Sequence, residues 1–174
     1  MKATWFMLTM IGKDKPGMVA AISGALADHG ITLGETSMLR LGGNFTVMMM
    51  VSGAEDEQSL RNSLAPILES QGMSLHVDPI DGGLHKHVIP NVHVTVSGAD
   101  RPGIVSQVTA VLAELGLNIL DLESDVAGTE DKPIYIMQIT AVSTLDIESI
   151  ESALSAVRES GVSVSVSAIE TYIG

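Results

Sequence analysis

The amino-acid sequence predicts an α+β protein: two tandem copies of a β-α-β-β-α-β unit, each an antiparallel four-stranded sheet with two helices on one face. Three observations predict it. First, Gly98 to Asn118, GADRPGIVSQVTAVLAELGLN, repeats Gly12 to Thr32, GKDKPGMVAAISGALADHGIT, at a shift of 86 residues. A period of half the chain is the mark of a duplicated unit. Second, both halves pass in the same order between the two-residue period of strands and the 3.6-residue period of helices. Third, Asp81 to Pro90, DGGLHKHVIP, separates them with two glycines, a proline and no helical period.

In the first half, Thr4 to Ile11 is a strand of β-branched, aromatic and Met residues, apolar on both faces. Gly12 ends it, and Asp14, Lys15, Pro16 and Gly17 turn the chain into a helix. Proline needs no N–H partner there, and Asp14, like Asp100 in the second copy, is placed to cap the free amides. Met18, Val19, Ile22 and Leu26 stripe the helix, and Gly30 stops it. Thr32 to Leu41 is a second strand, Gly42, Gly43 and Asn44 a hairpin turn, and Phe45 to Ser52 the third strand. Glu55, Asp56 and Glu57 open a second helix carrying Leu60, Leu64, Ile67 and Leu68, with Pro66 predicting a kink or an early break. After Gly72, Met73 to Ile80 alternates as the fourth strand.

The second half repeats the order. Val92, Val94 and Val96 mark its first strand, Pro102 to Leu115 its helix, and Leu117 to Val126 its second strand. The connection Ala127 to Pro133 is longer than its counterpart and acidic. Ile134 to Val142 follows as a strand, then a helix striped by Ile147, Ile150, Leu154 and Val157, then Val162 to Ala168. Two such units are ferredoxin-like sandwiches, with the first and third strands central. The first is placed at 1–81, a linker at 82–90 and the second at 91–174.

Composition narrows the function. Over 174 residues, the 45% hydrophobic and 17% charged fractions fit a folded protein with ample core, and the net charge of −12 excludes a surface built to replace the counterions of nucleic acid. With no cysteine, the chain has no disulfide or thiolate chemistry and suits a reducing compartment. Met1 to Ile11 is too short and too polar-flanked for a membrane span and has no cleavage site, so a cytoplasmic location and no membrane partner are expected.

Motifs of catalysis are missing. Neither copy of the turn matches a phosphate loop or the dinucleotide fingerprint. Ser, His and Asp lack a nucleophile elbow, and Glu148 and Glu151 fall on an exposed helix face. His85, His87 and His93, with His76, form the one metal-like grouping, but no carboxylate stands at a ligand spacing beside them, and no metal or cofactor is assigned. The acid-base-Pro-Gly turn is either a well-built strand-to-helix connection or a small-ligand site, since free amides at a helix start hold a carboxylate. A further oddity concerns the first sheet: Trp5, Met7, Met48 and Met50 oppose Phe6, Leu8, Val47 and Met49, so its central strands are apolar on both faces. The face turned from the helices is therefore expected to be buried against the sister domain or another chain. The matching face of the second sheet, with Asn91, His93, Thr95, Gln138 and Thr140, can meet water.

A unit beginning with a strand, then Gly98-Ala99-Asp100-Arg101-Pro102-Gly103-Ile104-Val105, then a helix and Gly116-Leu117-Asn118-Ile119, resembles the ACT domain, a regulatory module that binds amino acids. Two such units with no catalytic domain resemble the glycine cleavage system transcriptional repressor family, and Leu41 to Gly53, LGGNFTVMMMVSG, resembles its hairpin. The resemblance implies a ligand site between the first turn and the start of the second strand. In this chain those positions are Asp100, Arg101, Gly103, Ile104, Val105 and Asn118, and Asp14, Lys15, Gly17, Met18, Val19 and Thr32. Related domains often carry Asn where Asp14 and Asp100 stand, and Asn at the strand position that is Asn118 in one copy and Thr32 in the other. The second unit is accordingly expected to hold a ligand better, Asn118 offering both a donor and an acceptor. The implied role is a non-enzymatic, amino-acid-responsive homo-oligomer. Its ligand is a small amino acid, glycine by resemblance, and it regulates transcription through a protein partner such as an activator, without touching nucleic acid. The alternatives are a detached regulatory subunit of a metabolic enzyme and a structural dimer module without ligand.

Overall fold

The computed structural model describes residues 4–82, 88–99, 102–129, 131–159 and 161–170. It separates into two compact units, Met1–His85 and Lys86–Gly174. The first contains β1 (Trp5–Lys13), α1 (Met18–Asp28), β2 (Thr32–Leu41), β3 (Asn44–Ser52), α2 (Glu57–Gln71) and β4 (Ser74–Ile80). The second contains β5 (Val92–Ala99), α3 (Ile104–Glu114), β6 (Asn118–Thr129), β7 (Lys132–Val142), α4 (Ile147–Ala153), α5 (Ser155–Glu159) and β8 (Val162–Ala168). The sheet orders are β2-β3-β1-β4 and β6-β7-β5-β8, with every pairing antiparallel. The duplicated α+β architecture predicted from the sequence is thus the one observed, with first and third strands at the centre.

Strand alternation builds each core. In the first unit Phe6, Leu8 and Met10 of β1 and Phe45, Val47, Met49 and Val51 of β3 are buried with Ile22 and Leu26 of α1 and Leu60 and Leu64 of α2. In the second, Val92, Val94 and Val96 meet Val108, Leu112, Ile150 and Leu154. Both first helices end alike. Gly30 N–H donates to Ala27 O and Ile31 N–H to Leu26 O, and Gly116 and Leu117 repeat this on Ala113 and Leu112. These paired bonds satisfy the last carbonyls and fold the next apolar residue onto the helix.

Four local expectations are corrected. Asp14 does not cap α1: the helix begins at Met18, its N-cap is Gly17 with a φ of 85°, and no side chain caps it. A capping carboxylate must occupy the N-cap position itself, and Asp14 lies three residues upstream, where it pairs with Arg40. Gly103, with a φ of 94°, does the same for α3, and Asp100 falls outside the described residues. Next, α2 runs unbroken through Pro66, anchored by a capping box between Asp56 and Ser59. The final helical stretch is interrupted at Leu154, although Ile150, Leu154 and Val157 keep one buried stripe. Last, the long acidic connection is not a loop. β6 and β7 extend through it to pair Thr129 with Lys132, giving strands of twelve and eleven residues against ten and nine in the first unit.

The outer faces of the two sheets differ as their compositions require. On the second, Ser163, Ser165, Ser167 and Gln138 are exposed and His93 and Thr95 half-buried. Asn91 is exposed as well and has a further role. Its amide donates to Ser143 O at 2.8 Å and accepts from Ser143 N–H at 3.0 Å, tying the start of β5 to the end of β7. On the first, Trp5 lies against Gly34 beside Met50 and Met7 is half-buried, while Met48 remains 45% and Ile11 48% exposed.

Candidate functional site

The first strand-to-helix turn of the N-terminal unit opens on a depression of about 380 Å³. Its walls come from three places. Asp14 to Ala20 supply the turn and first helical residues, Met38 and Arg40 come from the end of β2, and Phe45 from the start of β3. Local geometry brings these together. Gly42 and Gly43, with φ values of 56° and 72°, make the two-residue hairpin turn that positive φ at both positions requires. The Asp14 N–H donates to Gly43 O at 3.2 Å, fastening the turn to the hairpin.

The electrostatics are uneven. Its N-cap being Gly17, α1 has no capping bond from that residue's side chain, and the residues of its first turn, at the positive end of the helix dipole, line the depression. The Arg40 guanidinium reaches across to the Asp14 carboxylate, the arginine mostly exposed and the aspartate mostly covered. Lys15 points its Nζ to Gln71 O at 3.5 Å, complementing the C-terminal end of α2. Gly17 is open on its side-chain face: an added Cβ would meet nothing within 4 Å, so its positive φ is what calls for glycine.

Of the sequence-predicted residues in this unit, the structure brings Asp14, Lys15, Gly17, Met18 and Val19 together and leaves Thr32 apart. Thr32 pairs with Ser52, which faces Trp5 at the start of β1, whereas the turn follows Lys13 at its other end. The second unit shows the same separation. Asn118 pairs with Val142 beside the start of β5, while Gly103, Ile104 and Val105 follow its end. Ile104 is buried in the core and Val105 exposed. Asp100 and Arg101 are outside the described residues, as are His85 and His87. Arg40, Met38 and Phe45 escaped sequence analysis because they are near the turn only through the hairpin register. Arg40 lies opposite Phe45, and Phe45 opposite Gly12.

The second unit keeps this register with different chemistry. Tyr135 stands opposite Gly98 as Phe45 stands opposite Gly12, and Val126 opposite Tyr135 as Arg40 opposite Phe45. Among the described residues the Tyr135 hydroxyl is buried without a hydrogen-bond partner. Such a group forfeits about 1–3 kcal/mol of hydration. Tyr135→Phe, which installs the ring of the first copy, should therefore raise the urea midpoint of the second unit's transition, by an amount equivalent to about 1 kcal/mol. A lowered midpoint would mean that the hydroxyl is satisfied.

Among the described residues, no helix is long and apolar enough to cross a membrane. Comparison with known proteins places these features in a family. The ACT domain family matches residues 4–78 and again residues 92–161. The glycine cleavage system transcriptional repressor of Escherichia coli is 28% identical over 158 residues, covering 87% of this chain and 83% of the repressor. A phosphoserine phosphatase of Mycobacterium tuberculosis is 27% identical over 139 residues, covering 76% of this chain but 32% of the phosphatase. A crystal structure of a protein from Galdieria sulphuraria superposes with a TM-score of 0.74 at 27% identity, covering 97% of this chain and all of that one. The repeat, the strand order and the matches in both halves agree: the chain belongs to the ACT domain family and carries one such domain in each half.

Proposed function

We propose that the protein is a non-catalytic regulator that responds to an amino acid and controls transcription in glycine or wider amino-acid metabolism through contacts with another protein. The observation that carries this reading is the depression at the first turn, lined by the N-terminal residues of α1 and by the oppositely charged Asp14 and Arg40. An amino acid carries both complementary charges. Kinship with a named repressor supports the transcriptional role. The partial match to a phosphatase favours a second reading, in which the pair of domains tunes an enzyme.

Thermal unfolding of the full chain against a panel of amino acids tests the ligand-binding part. A ligand at a hundred times its dissociation constant adds about 2.7 kcal/mol, a readily measured rise in the transition. No shift with any amino acid would contradict it. The net charge of −12 adds an expectation for the route of regulation. Duplex DNA at physiological salt should not be bound by the protein alone, and tight, salt-sensitive binding in an anisotropy titration would replace the partner-mediated route with a direct one.

The reading includes self-association of two copies through the outer face of the first sheet, where Met48, Ile11 and Leu39 are exposed beside Trp5, Met7 and Met50. Removing such side chains from water contributes about 1.5–3 kcal/mol each. Met48→Lys combined with Met50→Lys should shift the sedimentation coefficient to that of a monomer. An unchanged assembly would remove this face from the account.

A further inference from the structure

We infer that Arg40 is the carboxylate-binding residue of the first unit, that Asp14 is its resting partner, and that the ligand is an α-amino acid with a sizeable apolar side chain. The inference rests on the amino-acid-binding reading above and goes further by naming the residues that select the ligand and the class they select. Three side-chain charges line the depression. Lys15 Nζ lies 3.5 Å from the last carbonyl of α2, whereas Arg40 already carries a carboxylate, that of Asp14. Arg40 holds Asp14 at the mouth of the depression, and its planar fork suits a carboxylate better than a point charge would.

A zwitterion satisfies both members of this pair at once. Its carboxylate replaces Asp14 on Arg40 while the amides of Met18 and Val19 face its other oxygen, and its ammonium takes the released Asp14. A bare carboxylate would have to displace Asp14 and leave it unpaired. A bare amine would leave Arg40 unpaired. The ion pair therefore discriminates against ligands carrying one charge alone.

The remaining wall sets the side chain. Met38 and Val19, 50% and 37% exposed, offer apolar surface there, over the buried Met18 and Phe45. The depression of about 380 Å³ is open on one side, so a ligand would lie along this wall with part of its surface still in water. Glycine would leave that wall wet, whereas a leucine or methionine side chain would cover it. The second unit carries Val126 in register with Arg40, so it has no equivalent pair at that position.

Calorimetric titration of the full chain with L-leucine, glycine, isocaproate and isoamylamine tests the inference. L-Leucine should bind about tenfold or more tightly than glycine, and more tightly than either analogue that lacks one of its charges. Arg40→Met should weaken L-leucine about tenfold or more and tighten isoamylamine, because the guanidinium that competes for Asp14 is gone, with Arg40→Lys recovering part of the loss. Asp14→Asn should tighten isocaproate, because the competing carboxylate is gone, and a purely structural role for the pair would not produce that change. Glycine binding as tightly as L-leucine, or L-leucine binding unchanged in Arg40→Met, would overturn the inference while the amino-acid-binding reading stands. No binding by any amino acid would overturn both.

Discussion

Lysine in place of Met49 should abolish cooperative folding of the first unit, while lysine in place of Met48, one residue away, should leave it folded. β3 alternates so that Phe45, Val47, Met49 and Val51 enter the core, and Met49 is 1% exposed against 45% for Met48. A buried ammonium without a partner costs several kcal/mol even after relaxation, and small domains have about 5–15 kcal/mol of stability in all. On the outer face the same charge can stay hydrated, at the expense of self-association rather than of folding. Denaturant unfolding followed by circular dichroism checks the pair. Equal destabilisation by both substitutions would mean that the register of β3 is wrong, since a slip of one residue exchanges every side chain between faces.

The second large effect separates the two copies at a shared position. Alanine at Gly98 would put its Cβ 2.9 Å from Val162 Cγ1 and 3.2 Å from Val162 Cα. The paired backbones of β5 and β8 hold Val162 in place. Overpacking of this kind costs about 1–3 kcal/mol. At Gly12 the nearest atom is Met73 Cγ at 2.8 Å, with the Met73 backbone at 3.5 Å. A methionine side chain moves aside more easily than a strand. Gly98→Ala should therefore lower the stability of its unit by more than Gly12→Ala does, measured as the change in urea midpoint. A larger loss at Gly12 would contradict this account of the repeated glycine.

That pair of glycines also shows how far the sequence could be read. Their recurrence at matching positions disclosed the duplication, and the alternation of Phe6, Leu8 and Met10 or Val92, Val94 and Val96 disclosed the buried faces, because both are local patterns. Their purpose was not legible. Each makes room for a residue that arrives many positions later, Met73 or Val162, and only tertiary contact reveals it. The same limit hid Arg40 and Met38, which reach the turn through the register of a hairpin, and made Asp14 look like a cap when its partner lies across the sheet. The acidic stretch before Pro133 looked like a loop by composition, yet cross-strand pairing carried β6 and β7 through it. Thr32 and Asn118 entered the expected site through the family resemblance, and the strand register sets both at the far end of their sheets from the turns.

The central claim is that the uncapped start of α1, with Arg40 across from it, receives an amino acid. Titration of the nitrogen-15-labelled full chain with L-leucine, followed by amide and guanidinium resonances, tests it most directly. The account predicts saturable shifts concentrated at Gly17, Met18, Val19 and Ala20 and at the Arg40 side chain. Spectra unchanged at saturating amino acid, or shifts that leave these residues still and gather elsewhere, would contradict it.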